Sequence, residues 1–292
     1  MKIVTHIGAH ETDRGRLLNC LLRNAGMLRE RGVEVPRPSV YRRYLLGVLS
    51  AMTEAPEADA HLRREMQDLF LPEGGCARLI LANSSFACRP KDIFRGGRLY
   101  GAAAARMRNF ARVFPDCAFE IHLGVSSMAH FIPALVTTYP HFGYGEFLNG
   151  ADPARLSWVP LLRDLRAALP EAGLTVWCDE ETPLIWSDLM HAITGLGPDV
   201  PMEGELEMLQ ELLPEEVLAR LVRFLAAHPP KDPARRHRII EAYLSRAALD
   251  EKLELEVELP GWDDRLIDVL HGAYARDLDT IAVMPGVRFI SA

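Results

Sequence analysis

Four short apolar runs, residues 2–7, 78–82 (RLILA), 119–125 (FEIHLGV) and 174–178 (LTVWC), each lie beside a segment long enough to form a helix. Strands this apolar are buried on both faces, and a sheet covered on both faces is a parallel one with helical crossovers. The pattern predicts an α/β chain in three layers, α/β/α, around a mostly parallel sheet. The intervening segments carry helical spacing. Residues 14–31 place Leu17, Leu18, Leu21, Leu22 and Leu28 on one broad stripe, Gly32 stops the run, and Pro36 and Pro38 mark a turn. Further helices are predicted over 100–113, over 153–169 with a kink or restart at Pro160, and over 182–196, closed by Gly195 and Gly197.

After Gly197-Pro198 the pattern changes. Helical spacing recurs over 205–213, 215–227, 234–249 and 263–284, Pro229-Pro230 separates two of these, and no strand is predicted. The reading is an α/β core over 1–197 with a helical extension over 198–292 packed on it, a single domain overall. At 292 residues, 49% hydrophobic and 25% charged, the chain is long and apolar enough to bury such a core. A net charge of −7 argues against a nucleic-acid partner. The densest cationic stretch, 233–238 (PARRHR), reads as a solvated helix start. Five cysteines, odd in number, far apart and without a C-x-x-C, suit reduced thiols. The apolar stretch at the N-terminus is too short for a signal-peptide core, and no window approaches a membrane span. A cytoplasmic protein without a membrane partner is expected.

Residues 3–18, IVTHIGAHETDRGRLL, form a strand, a glycine-containing loop and a helix start. That unit places backbone N–H groups at a helix N-terminus, a natural seat for phosphate or sulfate. Thr12 and Asp13 are candidate caps. The loop fails as a Walker A motif, which counted from Gly8 needs Gly and Lys where Asp13 and Arg14 stand. It also fails as G-x-G-x-x-G, since His10 stands where the second Gly belongs.

His6, Ile7, Gly8, Ala9, His10 and Thr12, with the later turn Gly32-Val33-Glu34-Val35-Pro36, resemble the start of the bacterial sulfotransferase family. There the loop reads approximately H-I-G-x-H-K-T-G-T-[ST] and binds the 5′-phosphosulfate of 3′-phosphoadenosine 5′-phosphosulfate (PAPS). Residues 121–135 (IHLGVSSMAHFIPAL) are similar to the family's 3′-phosphate motif, with Phe131-Ile132-Pro133 matching its triplet, Ser126 at the Arg position and Ala134 at the Ser position. Residues 78–86 look like a third family strand, with Ser84 at a Glu position, and Tyr274, Asp277 and Pro285-Gly286-Val287 are similar to the family's end. The resemblance implies a P-loop-like sulfotransferase fold and cofactor contacts at Gly8, Ala9, His10, Thr12 and Ser126. The departures are as specific as the matches: Glu11 replaces the loop Lys, and Asp13, Arg14, Gly15 and Arg16 replace the Gly-Thr-Thr-Ser run. Two unit charges about 4 Å apart at an effective dielectric of ~20 interact by roughly 4 kcal/mol, and Glu11 reverses the sign of that interaction.

Three readings follow. The first is a repurposed or non-catalytic member of the sulfotransferase-like group, without a cofactor. The second is an active PAPS-dependent sulfotransferase in which His10, Arg14 and Arg16 form a rearranged loop. The third is an unrelated small-molecule enzyme or binding module. His6 and His10 lack a third ligand nearby, so no metal site is predicted. Residues 179–181 (Asp-Glu-Glu) read as a helix N-terminus, with a base or cation site as the alternative. His122 and His130 flank the second motif as candidate bases, and Trp158, Trp177 and Trp186 read as core or interface aromatics.

Overall fold

The computed structural model describes residues 1–41, 60–70, 74–248 and 259–292. Among these residues six strands form one sheet: β1 (Lys2–His6), β2 (Val33–Glu34), β3 (Arg78–Ala82), β4 (Ala118–Val125), β5 (Gly173–Cys178) and β6 (Val287–Ile290). They lie in the order β2-β3-β1-β4-β5-β6, and every pairing is parallel. The α/β expectation is met. The helices are α1 (Arg16–Arg23), α2 (Ala25–Glu30), α3 (Ala60–Phe70), α4 (Ala103–Val113), α5 (Met128–Thr138), α6 (Tyr144–Leu148), α7 (Val159–Ala168), α8 (Thr182–Thr194), α9 (Glu215–Ala227), α10 (Pro233–Ala247) and α11 (Asp264–Ala282).

Strand alternation sorts the helices into two outer layers. Ile3, Leu79, Leu81, Ile121 and Val176 face the layer that includes α4, α5, α7 and α11. Val4, Ile80 and Trp177 face α1, α2 and α8. Helices α9 and α10 form a smaller cluster outside that second layer, around Leu209, Leu213, Leu221 and Ile240. Among the described residues no helix is long and apolar enough to cross a membrane.

Three sequence expectations are corrected. The run 14–31 is two helices, because Asn24 leaves the helical register to bond elsewhere: Nδ2 donates to the carbonyls of Cys20 (2.8 Å) and Glu203 (2.9 Å), and Oδ1 accepts from Glu203 N–H (2.9 Å). The segment after 197 is not purely helical, since β6 pairs with β5 from Leu174↔Val287 to Trp177↔Ile290 and α11 packs into the main core. Residues 205–213 contain a single 3-10 turn, Glu207–Gln210. The restart at Pro160 is seen, with Pro160 in the first turn of α7, and Gly195 closes α8 in the left-handed conformation.

At the amino edge of the sheet, Glu120 gathers Lys2 (3.0 Å), Arg78 (2.9 Å) and His122 (3.1 Å). Burial would raise the Glu120 pKa, but these partners outweigh it and hold the carboxyl well below its usual range. His122 is thus tied to the Glu120 carboxylate.

Candidate functional site

From β1 the chain turns one way to β2, and after β3 it crosses to β4 on the other side, so the connections diverge at the carboxyl end of β1. Such a switch point is where open α/β sheets form their ligand crevice. A cavity of about 570 Å³ opens there, lined by Gly8, Ala9, Glu11, Asp13, Arg14, Asn83, Ser84 and Thr138 among others.

The loop is stitched to β4 beyond the last residue of β1. Ile7 N–H donates to His122 O (3.0 Å), Ala9 N–H to Gly124 O (3.0 Å), and Gly124 N–H to Gly8 O (2.8 Å). Gly8 is required twice over: its φ is +115°, and a Cβ would come within 3.0 Å of His10 N and 3.3 Å of Ser84 Cβ. The Gly8–Ala9 peptide is cis. Gly124 is required for another reason: the Trp177 indole lies across β4 to stack on His6 (5.6 Å), and a Cβ at Gly124 would meet its Nε1 at 3.0 Å.

The candidate residues separate. Gly8, Ala9 and Arg14 line the crevice. His10 turns inward: its backbone N–H donates to the Tyr100 hydroxyl, and its Nδ1 lies 2.9 Å from the same oxygen. Burial lowers its pKa to about 4, so the ring is neutral and supplies no positive charge. Thr12 donates its hydroxyl to Ala9 O (3.0 Å) and braces the loop, whereas Asp13 accepts from Leu17 N–H (2.9 Å) and caps α1. The guanidinium of Arg16 is paired with Glu211, in the segment before α9. Glu11 sits at φ +60°, and its carboxylate accepts from the Thr138 hydroxyl (2.8 Å) at the end of α5.

Ser126 lies outside the crevice lining, in a cluster built on Glu180. One Glu180 oxygen accepts from Ser126 Oγ (2.9 Å) and Ser127 N–H (2.8 Å) and lies 3.3 Å from His130 Nδ1. The other accepts from the Tyr274 hydroxyl (2.8 Å) and Cys178 Sγ (3.2 Å). Burial works to raise the Glu180 pKa, but hydrogen bonds from His130, Ser127 and Tyr274 prevail and hold it at about 2. Its neighbour Asp179 goes the other way. Burial, then the charges of Glu180 and Asp13, push its carboxyl up to about 8, against the Thr182 hydroxyl and Arg14. Tyr274 thus belongs to the Glu180 cluster, and Asp277, on the same helix, accepts from Ser157 Oγ (2.8 Å) and Trp158 N–H (2.7 Å).

Among the described residues, the crevice thus sets one guanidinium, Arg14, against the carboxylates of Glu11 and Asp13. That donor set does not fit a phosphosulfate group, which needs converging cations. Among the described residues no group of three or more His, Cys, Asp or Glu side chains is placed to hold a metal ion. Thr138 and Asn83 line the crevice without any sequence signal; Thr138 ends a helix whose last turn reads simply as apolar and β-branched. Comparison with known protein families, curated proteins and solved structures finds no match to this chain.

Proposed function

We propose that this chain is a sulfotransferase-type α/β protein that does not use the nucleotide donor. Its switch-point crevice takes a small neutral or cationic ligand in place of PAPS, and it transfers no sulfuryl group. The observation that carries this reading is Glu11, an acidic side chain held on the crevice wall by Thr138. Arg16 is drawn to Glu211, and His10 is neutral and turned inward. A ligand with an ammonium or hydroxyl groups meets acceptors there; a phosphosulfate meets repulsion.

The test is calorimetry with 3′-phosphoadenosine 5′-phosphate. No saturable heat is expected, and micromolar affinity overturns the proposal. Glu11→Lys removes the repulsion and restores an attraction, so this variant should gain roughly tenfold or more in affinity for the nucleotide. A second reading, sulfuryl transfer with Arg14 as the stabilising cation, has the position of Arg14 on the crevice wall in its favour. Sulfate transfer from PAPS at an enzymatic rate, lost in Arg14→Ala, would establish it.

A further inference from the structure

A second space opens on the outer flank of α8, against the first turn of α10 and the edge strand β6. One part, about 500 Å³, is lined by Asp188, His191, His237 and Arg288 among others. The other, about 300 Å³, is lined by Asp188, His191, Lys231 and Arg236 among others. Asp188 and His191 belong to both, so the two adjoin and together reach the size of a metabolite site. Among the described residues, none lines both this space and the crevice at Gly8.

The carboxylates around this space are mostly spent on the chain's own donors. Asp188 holds His237 Nε2, and Asp232 caps α10 by accepting from Arg235 N–H (2.7 Å). Glu205 accepts from Arg236 (3.0 Å), Ser187 Oγ (3.1 Å) and Met202 N–H (3.0 Å), with His191 Nε2 at 3.8 Å. Of the lining carboxylates, Asp199 alone has no such partner among the described residues.

The unspent capacity lies on the nitrogen side. His191 Nδ1, His237 Nδ1 and Arg236 Nε are buried with no hydrogen-bond partner among the described residues. Both imidazoles are more than nine-tenths buried, at 8% and 7% exposure. Arg288 and Lys231 make no ion pair among the described residues. A carboxylate against one imidazole nitrogen favours the doubly protonated ring, and in that form the other nitrogen is an N–H donor as well. The Arg236 Nε–H is a buried donor without an acceptor, which costs stability, and a guanidinium beside protonated imidazoles is the donor set that suits an oxyanion.

We propose that this space binds a small metabolite through a carboxylate or phosphate group, with Arg236, His191, His237 and Arg288 as the donors. The experiment titrates the full chain with sodium phosphate and with citrate at fixed ionic strength, with chloride as control. It follows melting temperature and the side-chain nitrogen NMR signals of Arg and His. Saturation with a Kd below about 1 mM is expected for at least one oxyanion, shifting the Arg236 Nε signal. Phosphate alone assigns a phosphoryl ligand, and citrate alone a carboxylate. Arg288→Ala should weaken binding about tenfold while leaving the melting temperature of the free protein unchanged, and Glu11→Lys should leave this affinity as it was. The proposal is overturned by no saturation with either anion, by an equal response to chloride, or by unchanged affinity in both Arg288→Ala and His237→Asn.

Discussion

Asp179 and Glu180 are adjacent in sequence, yet their carboxyls are pushed in opposite directions, to about 8 and about 2. The difference is one of partners. Glu180 receives hydrogens from Ser126, Ser127 and Tyr274, whereas Asp179 receives one from Thr182 (3.1 Å) and otherwise faces the charges of Glu180 and Asp13. The consequence for stability has a definite sign. In the unfolded chain an Asp titrates near ~3.9, so between that pH and about 8 the folded state holds an extra proton. The stability contributed by this group is fully present below about pH 4 and is lost as pH rises through about 8. Asp179→Asn keeps the acceptor for Thr182 and removes the titration. The variant should therefore be more stable than the parent near pH 9, with the gap narrowing toward pH 5 and closing near ~4; urea midpoints at about pH 5, 7 and 9 measure this. A gap that does not change with pH would remove Asp179 as its source.

At the scale of elements, the join between α1 and α2 is where distant parts of the chain meet. Asn24 is buried, and its amide serves both the N–H and the carbonyl of Glu203, 179 residues away. Asn24→Ala leaves those groups without partners and should lower unfolding free energy by about 1–3 kcal/mol, read from urea unfolding. A loss within a few tenths of a kcal/mol would mean that water replaces the amide. This junction also shows what sequence patterning can and cannot carry. Strands β1, β3, β4 and β5 were legible because burial on both faces writes a continuous apolar run. Strand β2 has two residues, and β6 reads Val-Arg-Phe-Ile at a sheet edge with Arg288 exposed, so neither writes such a run. The break at Asn24 was hidden because Leu-Leu-Arg-Asn-Ala-Gly-Met suits a continuous helix and only the long-range bonds interrupt it. The crevice was half legible for the same reason. Gly8 and Arg14 belong to a local motif, but the pairing of Arg16 with Glu211 and of Glu11 with Thr138 depends on tertiary contacts that no spacing encodes.

For the whole molecule, the α9–α10 cluster is the part held least by apolar packing. Its buried apolar residues, among those described, are Leu209, Leu213, Leu221 and Ile240, against the far larger clusters on the two sheet faces. Ion pairs are part of what ties residues 203–247 to the α/β layers: Arg16 to Glu211, and Arg23 to Glu203 and Glu207. Partly exposed pairs of this kind contribute about 0–1 kcal/mol each and weaken as salt shortens the screening length to ~3 Å at 1 M. The sheet core, held by apolar burial, gains no such sensitivity. Raising sodium chloride from about 0.05 M to about 1 M should therefore speed amide exchange across 215–247 by roughly tenfold while leaving β1, β3 and β4 unchanged. Hydrogen exchange read by mass spectrometry distinguishes the outcomes. Uniform exchange across both parts, or a cluster indifferent to salt, would mean that apolar contacts hold it. Arg16, the partner of Glu211, begins the helix whose N-terminal loop forms the crevice wall, so slower exchange in that loop than in 215–247 at high salt would place the loosening in the cluster alone.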